Sequence, residues 1–260
     1  MEPEKRGTDT APATLMREIR VAGTRVHDLD PENIPGVVQL LTAADETRRV
    51  VFLSTFDLIR AWFFPGVRRS LESAALVLPM QRGVQRAAAI AGHKPPRRHM
   101  PFQLIIQLLG AVESAQGSLY LIGGRPAALE KVEANLKYTF PKMRIVGRFP
   151  GFFRKGVEAS LLTAVRKSGP DITLVGTGVR GRWLEKQSGQ FPPGITIAAA
   201  RVFRVFAEQR RRPSRRLFES GLKDSMKAIL LPWHWLRIPL YLLLLMRLVV
   251  ERLRRPADQA

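Results

Sequence analysis

Apolar residues occur in this chain in two alternating patterns. Short runs dominated by apolar residues lie at 49–54, 74–78, 118–122, 143–147, 172–175 and 194–199. Between them lie segments with apolar residues three or four apart, as at Leu129, Val132, Leu136 and Phe140. Short buried strands that alternate with amphipathic helices predict a mostly parallel sheet with helices on both faces. The pattern therefore indicates a Rossmann-like α/β fold.

The segment 117–151 shows this unit most plainly. Ser118 to Ile122 has the length of a strand, Gly123 and Gly124 form a turn, and Pro126 suits the first turn of a helix. Ligands of such sheets bind at the carboxyl ends of the strands, which makes the two glycines candidates. Two glycines are not a dinucleotide fingerprint, however, so a simple tight turn remains the alternative.

The alternation also suggests where the domains begin and end. Residues 1–15 are polar and are predicted to be disordered. Ile19 to Val26 alternates apolar and polar residues, which indicates an edge strand or a hairpin. We predict a Rossmann-like domain over 16–206 and a basic, amphipathic C-terminal appendage over 207–260.

Charge narrows the choice of partners. The 260 residues include 42 Lys and Arg against 22 Asp and Glu, a formal net charge of +20. Such a charge favours an anionic partner: a membrane surface, a nucleic acid or a phosphorylated substrate. The absence of cysteine excludes disulfides, thiolate metal sites and a cysteine nucleophile, and neither a metal nor a cofactor is predicted. The acidic, polar N-terminus is not a signal peptide, so a cytoplasmic location is expected.

The C-terminal part combines arginines with a long apolar stretch. Residues 228–250 are strongly apolar, yet the longest segment without charge or histidine, 238–246, has nine residues. A membrane-spanning helix needs roughly 20. We therefore predict peripheral attachment to the anionic inner face of the cell membrane; a buried helix in a homo-oligomer is the alternative. The predicted membrane contacts are aromatic and arginine side chains: Trp233, Trp235, Tyr241, Arg247, Arg252, Arg254 and Arg255.

Several motifs follow one another in a fairly specific order. They are Leu78-Pro79 followed by Gly83, Tyr120-Leu121-Ile122-Gly123-Gly124-Arg125-Pro126, Gly151-Phe152-Phe153, and Pro170-Asp171 followed by Gly178. Over about residues 19–232 the chain resembles the WecG/TagA/CpsF family of glycosyltransferases. The resemblance implies transfer of an N-acetylmannosamine-like sugar from a nucleotide-diphosphate donor to a lipid-diphosphate-linked acceptor in cell-envelope polysaccharide synthesis. It also implies a C-terminal appendage at the membrane.

The chain departs from the family pattern at its acidic positions. Where the family has its proposed catalytic aspartate, this chain has Met80, whose thioether cannot accept a proton from a sugar hydroxyl. The family's Arg-x-x-Gly-x-Asp segment keeps Arg98 but has Gln103 in place of the acid, and Arg204 stands where another aspartate belongs.

Two residues are candidates for a substitute base. His99 has a suitable reference pKa near 6.5, although a histidine in a basic loop is more often a surface residue. Asp57 follows a predicted strand, where it could equally cap a helix.

The sequence offers more candidate residues for binding phosphate than for accepting a proton. A departing diphosphate is stabilised by positive charge and by backbone N–H groups in glycine turns. The substrate-binding residues implied by the resemblance and the turns are Gly83, Arg98, Gly123, Gly124, Gly178, Arg180 and Arg204.

Two other functional classes remain open. One is a pseudoenzyme that keeps the fold and the membrane dock as a binding or scaffold subunit. The other is nucleic-acid binding, which the charge allows but which we consider unlikely because no recognised module is present.

Overall fold

The computed structural model describes residues 15–179, 181–220 and 238–253, which form a mixed α/β protein. The strands are β1 (Met16–Val21), β2 (Thr24–Leu29), β3 (Thr47–Leu53), β4 (Leu76–Pro79), β5 (Ser118–Ile122), β6 (Arg144–Phe149), β7 (Ile172–Val175) and β8 (Gly194–Ala198). The helices before β6 are α1 (Ile34–Thr42), α2 (Thr55–Phe63), α3 (Pro65–Glu72), α4 (Arg82–Ile90), α5 (Pro101–Ser114) and α6 (Pro126–Thr139). Those after it are α7 (Glu158–Ser168), α8 (Gly181–Gln187), α9 (Ala200–Phe206), α10 (Arg215–Ser220) and α11 (Ile238–Leu253).

Six of these strands form one sheet in the order β4-β3-β8-β7-β5-β6. All of its strand pairs are parallel. From β7 the chain continues to β8 on one side, whereas from β5 it continues to β6 on the other. The sheet therefore has a topological switch point between β5 and β7, the position where open α/β sheets bind ligands.

Both faces of the sheet are covered, as the alternating pattern predicted. In β5, Leu119 and Leu121 pack in a core with residues of α1, α5, α6 and α9. Tyr120 and Ile122 point the other way and pack with α7 and α8. The predicted Rossmann-like sheet is confirmed.

The hairpin β1–β2 forms a separate two-stranded sheet beside the edge strand β4. The buried side chain of His27 joins the two, because its Nδ1 accepts a hydrogen bond of 3.0 Å from the backbone N–H of Val77. An edge strand leaves backbone N–H groups unpaired, and this histidine satisfies one of them. Burial lowers the pKa of His27, against the opposing influence of Glu18, so the neutral imidazole is favoured.

Helix α11 packs on the hairpin side of the protein. Leu244 and Leu248 are buried in a cluster with residues of the hairpin, α2 and α4. The carboxylate of Glu251 accepts a hydrogen bond of 3.0 Å from the Ala22 backbone N–H, at the hairpin turn. Within the described residues, no helix combines the length and the apolar character that crossing a membrane requires.

The residues predicted to contact the membrane differ in their exposure to solvent. Tyr241 and Arg247 are half-buried on the docked side of α11, and Arg252 is exposed. Trp233, Trp235, Arg254 and Arg255 lie outside the described residues, as does the predicted disordered segment up to residue 14.

The buried histidines predict a stability that falls at acid pH. Burial lowers the pKa of both His27 and His99 in the folded protein from the ordinary 6.5. Below about pH 6.5 the unfolded chain therefore binds more protons than the folded protein, and stability present above that pH is lost as the pH falls. Urea unfolding between pH 7.5 and 5 should show this decline.

The variant His27→Leu tests the source of the effect. It should cost about 1–3 kcal/mol at pH 7.5, because the Val77 N–H loses its acceptor, and it should weaken the pH dependence. An unchanged pH dependence in this variant would mean that His27 is not responsible.

Candidate functional site

A cavity of about 460 Å³ lies beside the carboxyl end of β4. It is bounded by the start of α4, the loop 94–100, the first half of α5 and α10. Its polar lining contains four arginines, three glutamines, one histidine and one glutamate: Arg82, Arg97, Arg98, Arg215, Gln85, Gln103, Gln107, His99 and Glu219. An excess of guanidinium groups around a cavity suits an anionic ligand with several oxygens.

Helix α10 closes one side of this arginine pocket. Arg98 Nη2 donates a hydrogen bond of 3.0 Å to the backbone carbonyl of Phe218, and the Phe218 ring lies 4.4 Å from the centre of the Arg98 guanidinium. Arg82 donates to the carbonyl of Glu219. Two of the four arginines thus bind main-chain oxygens of α10.

The other two arginines are paired with carboxylates. Arg97 Nη1 lies 2.6 Å from Asp30, and Arg215 Nε lies 2.6 Å from Glu219. Because Glu219 is the acid within the lining, the pocket keeps a net positive charge.

His99 is buried in this pocket wall, contrary to the expectation of a surface residue. Its backbone N–H donates 2.8 Å to the carbonyl of Pro79, which fixes it at the end of β4. Burial lowers the pKa of its imidazole, opposed mainly by the carboxylate of Asp28, so the neutral form prevails near pH 7. Within the described part of the chain nothing hydrogen-bonds to Nε2.

The other candidate residues near β3 and β4 make contacts that belong to the fold itself. Met80 is half-buried and continues the sheet, since its N–H donates 3.0 Å to the Leu53 carbonyl. Asp57 forms a capping box with Ser54, whose N–H and Oγ lie 3.1 and 2.6 Å from Oδ2. Gly83 leaves room for the side chain of Thr55, which a Cβ would overlap. The alternative of Asp57 as a helix cap is therefore the observed arrangement.

The glycine turns meet at the switch point of the sheet. A Cβ on Gly123 would lie 2.6 Å from the Cα of Gly176, and one on Gly178 would lie 2.8 Å from the carbonyl carbon of Gly151. Gly123, Gly124 and Gly178 have φ of 147°, 73° and 92°, values that favour glycine. The three loops that follow β5, β6 and β7 are thus packed backbone against backbone.

The backbone N–H groups of these turns are largely used within the protein. Gly123 donates to the Phe149 carbonyl at 2.9 Å, Gly124 to Thr177 at 2.7 Å and Gly151 to Gly124 at 2.9 Å. Phosphate recognition by the Gly123 and Gly124 amides would require breaking these bonds. The glycines accordingly shape the edge of the sheet, and the pocket at β4 offers the side-chain donors.

The predicted site residues therefore divide into separate groups. Arg98 and His99 lie in the arginine pocket, whereas Gly123, Gly124 and Gly178 lie three or four strands away, about 14–19 Å at ordinary strand spacing. Arg204 is exposed on α9 and is not part of the described lining. Arg180 lies outside the described residues.

Sequence reasoning missed α10 as a wall of the pocket. Arg97, Arg215 and Phe218 line the cavity, and the signal for Arg215 was its place in the arginine-rich stretch before the apolar tail. Charge alone did not indicate that this stretch folds back over β4.

A parallel sheet with helices on both faces and a cationic pocket at its carboxyl edge defines an α/β protein with a candidate site for an anionic ligand. Comparison with known families identifies which one. The profile of the Glycosyl transferase WecG/TagA/CpsF family matches residues 19–259, and the chain belongs to this family. No curated protein matches the chain.

The packed glycines give a test of their structural role. Gly123→Ala should destabilise the protein by about 2 kcal/mol or more, because the added Cβ meets the Gly176 backbone at a strained φ. Gly189→Ala, where the Cβ would meet nothing within 4 Å, is the matched control and should change stability little. Thermal unfolding of both variants measures this, and equal unfolding temperatures would argue against close packing at the switch point.

Proposed function

We propose that this protein transfers an N-acetylhexosamine, of the N-acetylmannosamine type, from a nucleotide-diphosphate sugar to a lipid-diphosphate-linked acceptor in cell-envelope polysaccharide synthesis. Family membership supports the glycosyltransferase class. The single observation that carries the site is the arginine pocket beside β4, with a neutral, buried histidine in its wall.

The arginines supply the electrostatic part of this reaction. When the bond between the anomeric carbon and the diphosphate oxygen breaks, negative charge develops on the leaving group. Arg82 and Arg98 now bind carbonyl oxygens of α10, and the same N–H groups match phosphate oxygens. We assign the diphosphate to this pocket rather than to the Gly123-Gly124 turn, whose amides already have partners.

His99 supplies the proton acceptor in place of the family's aspartate. The acceptor hydroxyl oxygen forms the new bond to the anomeric carbon, its proton passes to His99 Nε2, and the nucleoside diphosphate leaves. A neutral imidazole with a lowered pKa is ready for this role near pH 7. Nε2 is shielded from solvent, so the acceptor must displace the groups that cover it.

A lipid-linked acceptor requires the protein to work at the membrane surface. The basic, apolar C-terminal part supports peripheral attachment at the inner face, and α11 presents exposed apolar residues on its outer side. We place Arg252 at this surface and retain the remaining C-terminal aromatics and arginines as predicted contacts.

Removal of Arg98 tests donor binding. Arg98→Ala should weaken binding of a nucleoside diphosphate by about 10–100-fold, the loss expected for a charge-assisted contact. Arg86→Ala, an exposed arginine on the same helix as Arg82 and outside the pocket lining, is the control and should bind normally. Calorimetric titration measures both. Equal affinities in the two variants would exclude the pocket as the diphosphate site.

Removal of His99 tests the proton transfer. His99→Ala should lower kcat by about 10²–10⁴-fold with little effect on donor affinity. In the wild type, the lowered pKa of His99 predicts that kcat/KM holds as the pH falls through 6.5 and declines only below it. A decline centred at or above 6.5, or full activity of the alanine variant, would reject His99 as the base.

The second candidate function is a pseudoenzyme, which Met80 specifically favours. In that case the wild type binds nucleoside diphosphate but transfers no sugar across a panel of labelled donors with membrane lipid extract. Met80→Asp would then create transfer activity. Activity in the wild type, assayed beside an active relative, would instead reject the pseudoenzyme.

A further inference from the structure

Three consecutive aromatic residues protrude where α2 meets α3. Trp62, Phe63 and Phe64 are 37%, 46% and 57% exposed, and Pro65 begins the next helix directly after them. We call these three residues the aromatic corner. Large aromatic side chains are normally buried, and adjacent exposed ones mark an interaction site.

The aromatic corner contacts α11 through Arg247, on the docked side of this helix. The Arg247 guanidinium lies over the Trp62 ring, 5.2 Å from its centre, which brings α11 against the corner. While Leu244 and Leu248 hold α11 to the protein, its outer side exposes apolar residues, among them Leu242, Met246 and Val250. Trp62 and Arg247 are 185 positions apart in sequence, and their contact brings the aromatic corner close to the exposed apolar residues of α11.

Exposed arginines accompany these apolar residues. Arg69 lies near the aromatic corner in sequence, and Arg252 lies near the end of α11. Arg60 and Arg68 also flank the corner, but they lie 3.7 Å from Asp57 and 3.6 Å from Glu72. Two copies of the chain that met here would bring the positive charges of Arg69 and Arg252 close to those of the second copy, which opposes association. An anionic lipid surface instead accepts the apolar side chains and attracts the arginines, and tryptophan favours the headgroup layer.

We propose that Trp62, Phe63 and Phe64 insert into the anionic membrane together with the outer face of α11. This inference rests on the proposed membrane attachment and extends it from the C-terminal part to the α/β domain itself. Two contacts, one from each segment, would fix how the domain is oriented on the bilayer. Helix α4, which packs in the same cluster as α11, begins with Arg82 of the arginine pocket, so this orientation governs how the pocket meets a lipid-linked acceptor.

The test measures binding of the full chain to vesicles. The double variant Phe63→Ser/Phe64→Ser is compared with the wild type by sedimentation with vesicles of phosphatidylglycerol and phosphatidylcholine. Tyr138→Ser is the matched control, because Tyr138 is 90% exposed on α6, which packs in a different core cluster. The double variant should bind about tenfold more weakly or worse, and the control should bind normally. Circular dichroism and the unfolding temperature check that both variants fold.

The possible outcomes distinguish the role of the aromatic corner from the proposed membrane attachment on which it rests. If the wild type binds anionic vesicles and the folded double variant binds equally well, the aromatic corner is not a membrane contact, although attachment through the C-terminal part stands. If the wild type does not bind these vesicles, membrane attachment fails and the inference fails with it. If the substitutions convert a dimer to a monomer in analytical ultracentrifugation without weakening vesicle binding, the corner is an interface between two copies and the inference is wrong.

Discussion

In a sheet whose strands all run in one direction, every strand delivers the loop that follows it to the same edge. All the neighbouring pairs of the six-stranded sheet obey this constraint. It gathers the turn after β4, with Met80 and Arg82, and the glycine turns after β5 and β7 along one edge. The functional geometry follows from strand order, because β4 is the edge strand and β5 and β7 flank the switch point.

Charge at this edge shapes the proposed chemistry. The resemblance to the family implies acids at three positions where this chain has Met80, Gln103 and Arg204, and this would shift the charge balance toward cations. Burial keeps His99 neutral by lowering its pKa, although the carboxylate of Asp28 opposes this shift. Burial of His99 therefore lowers the stability of the protein at acid pH, and it also keeps the imidazole able to accept a proton near pH 7.

The sequence predicted the sheet well because its signals are local. The runs at 118–122 and 172–175 match β5 and β7, and Gly123 with Pro126 marked a turn and a helix start that the structure contains. The glycine turns also lie at the carboxyl edge, as expected.

What the sequence could not supply depends on contacts between distant segments. Nothing local in Gly123 or Gly124 reveals that carbonyls of Phe149 and Thr177 take their N–H groups. Nor does the loop around His99 reveal its burial, which depends on β2, β4 and α10 together. For Asp57 the sequence left two roles open, a substitute base or a helix cap, and the structure shows the cap, in a capping box with Ser54.

The hydrogen bonds from Arg82 and Arg98 to the carbonyls of α10 have a thermodynamic consequence. Those carbonyls act as an internal competitor for the very groups that an incoming anion requires. The apparent dissociation constant of such an anion is the intrinsic one divided by the fraction of molecules whose α10 has withdrawn. Any event that draws α10 away from β4 would therefore make Arg82 and Arg98 more available to an anion, while removing from the pocket the residues Arg215, Phe218 and Glu219 that α10 supplies.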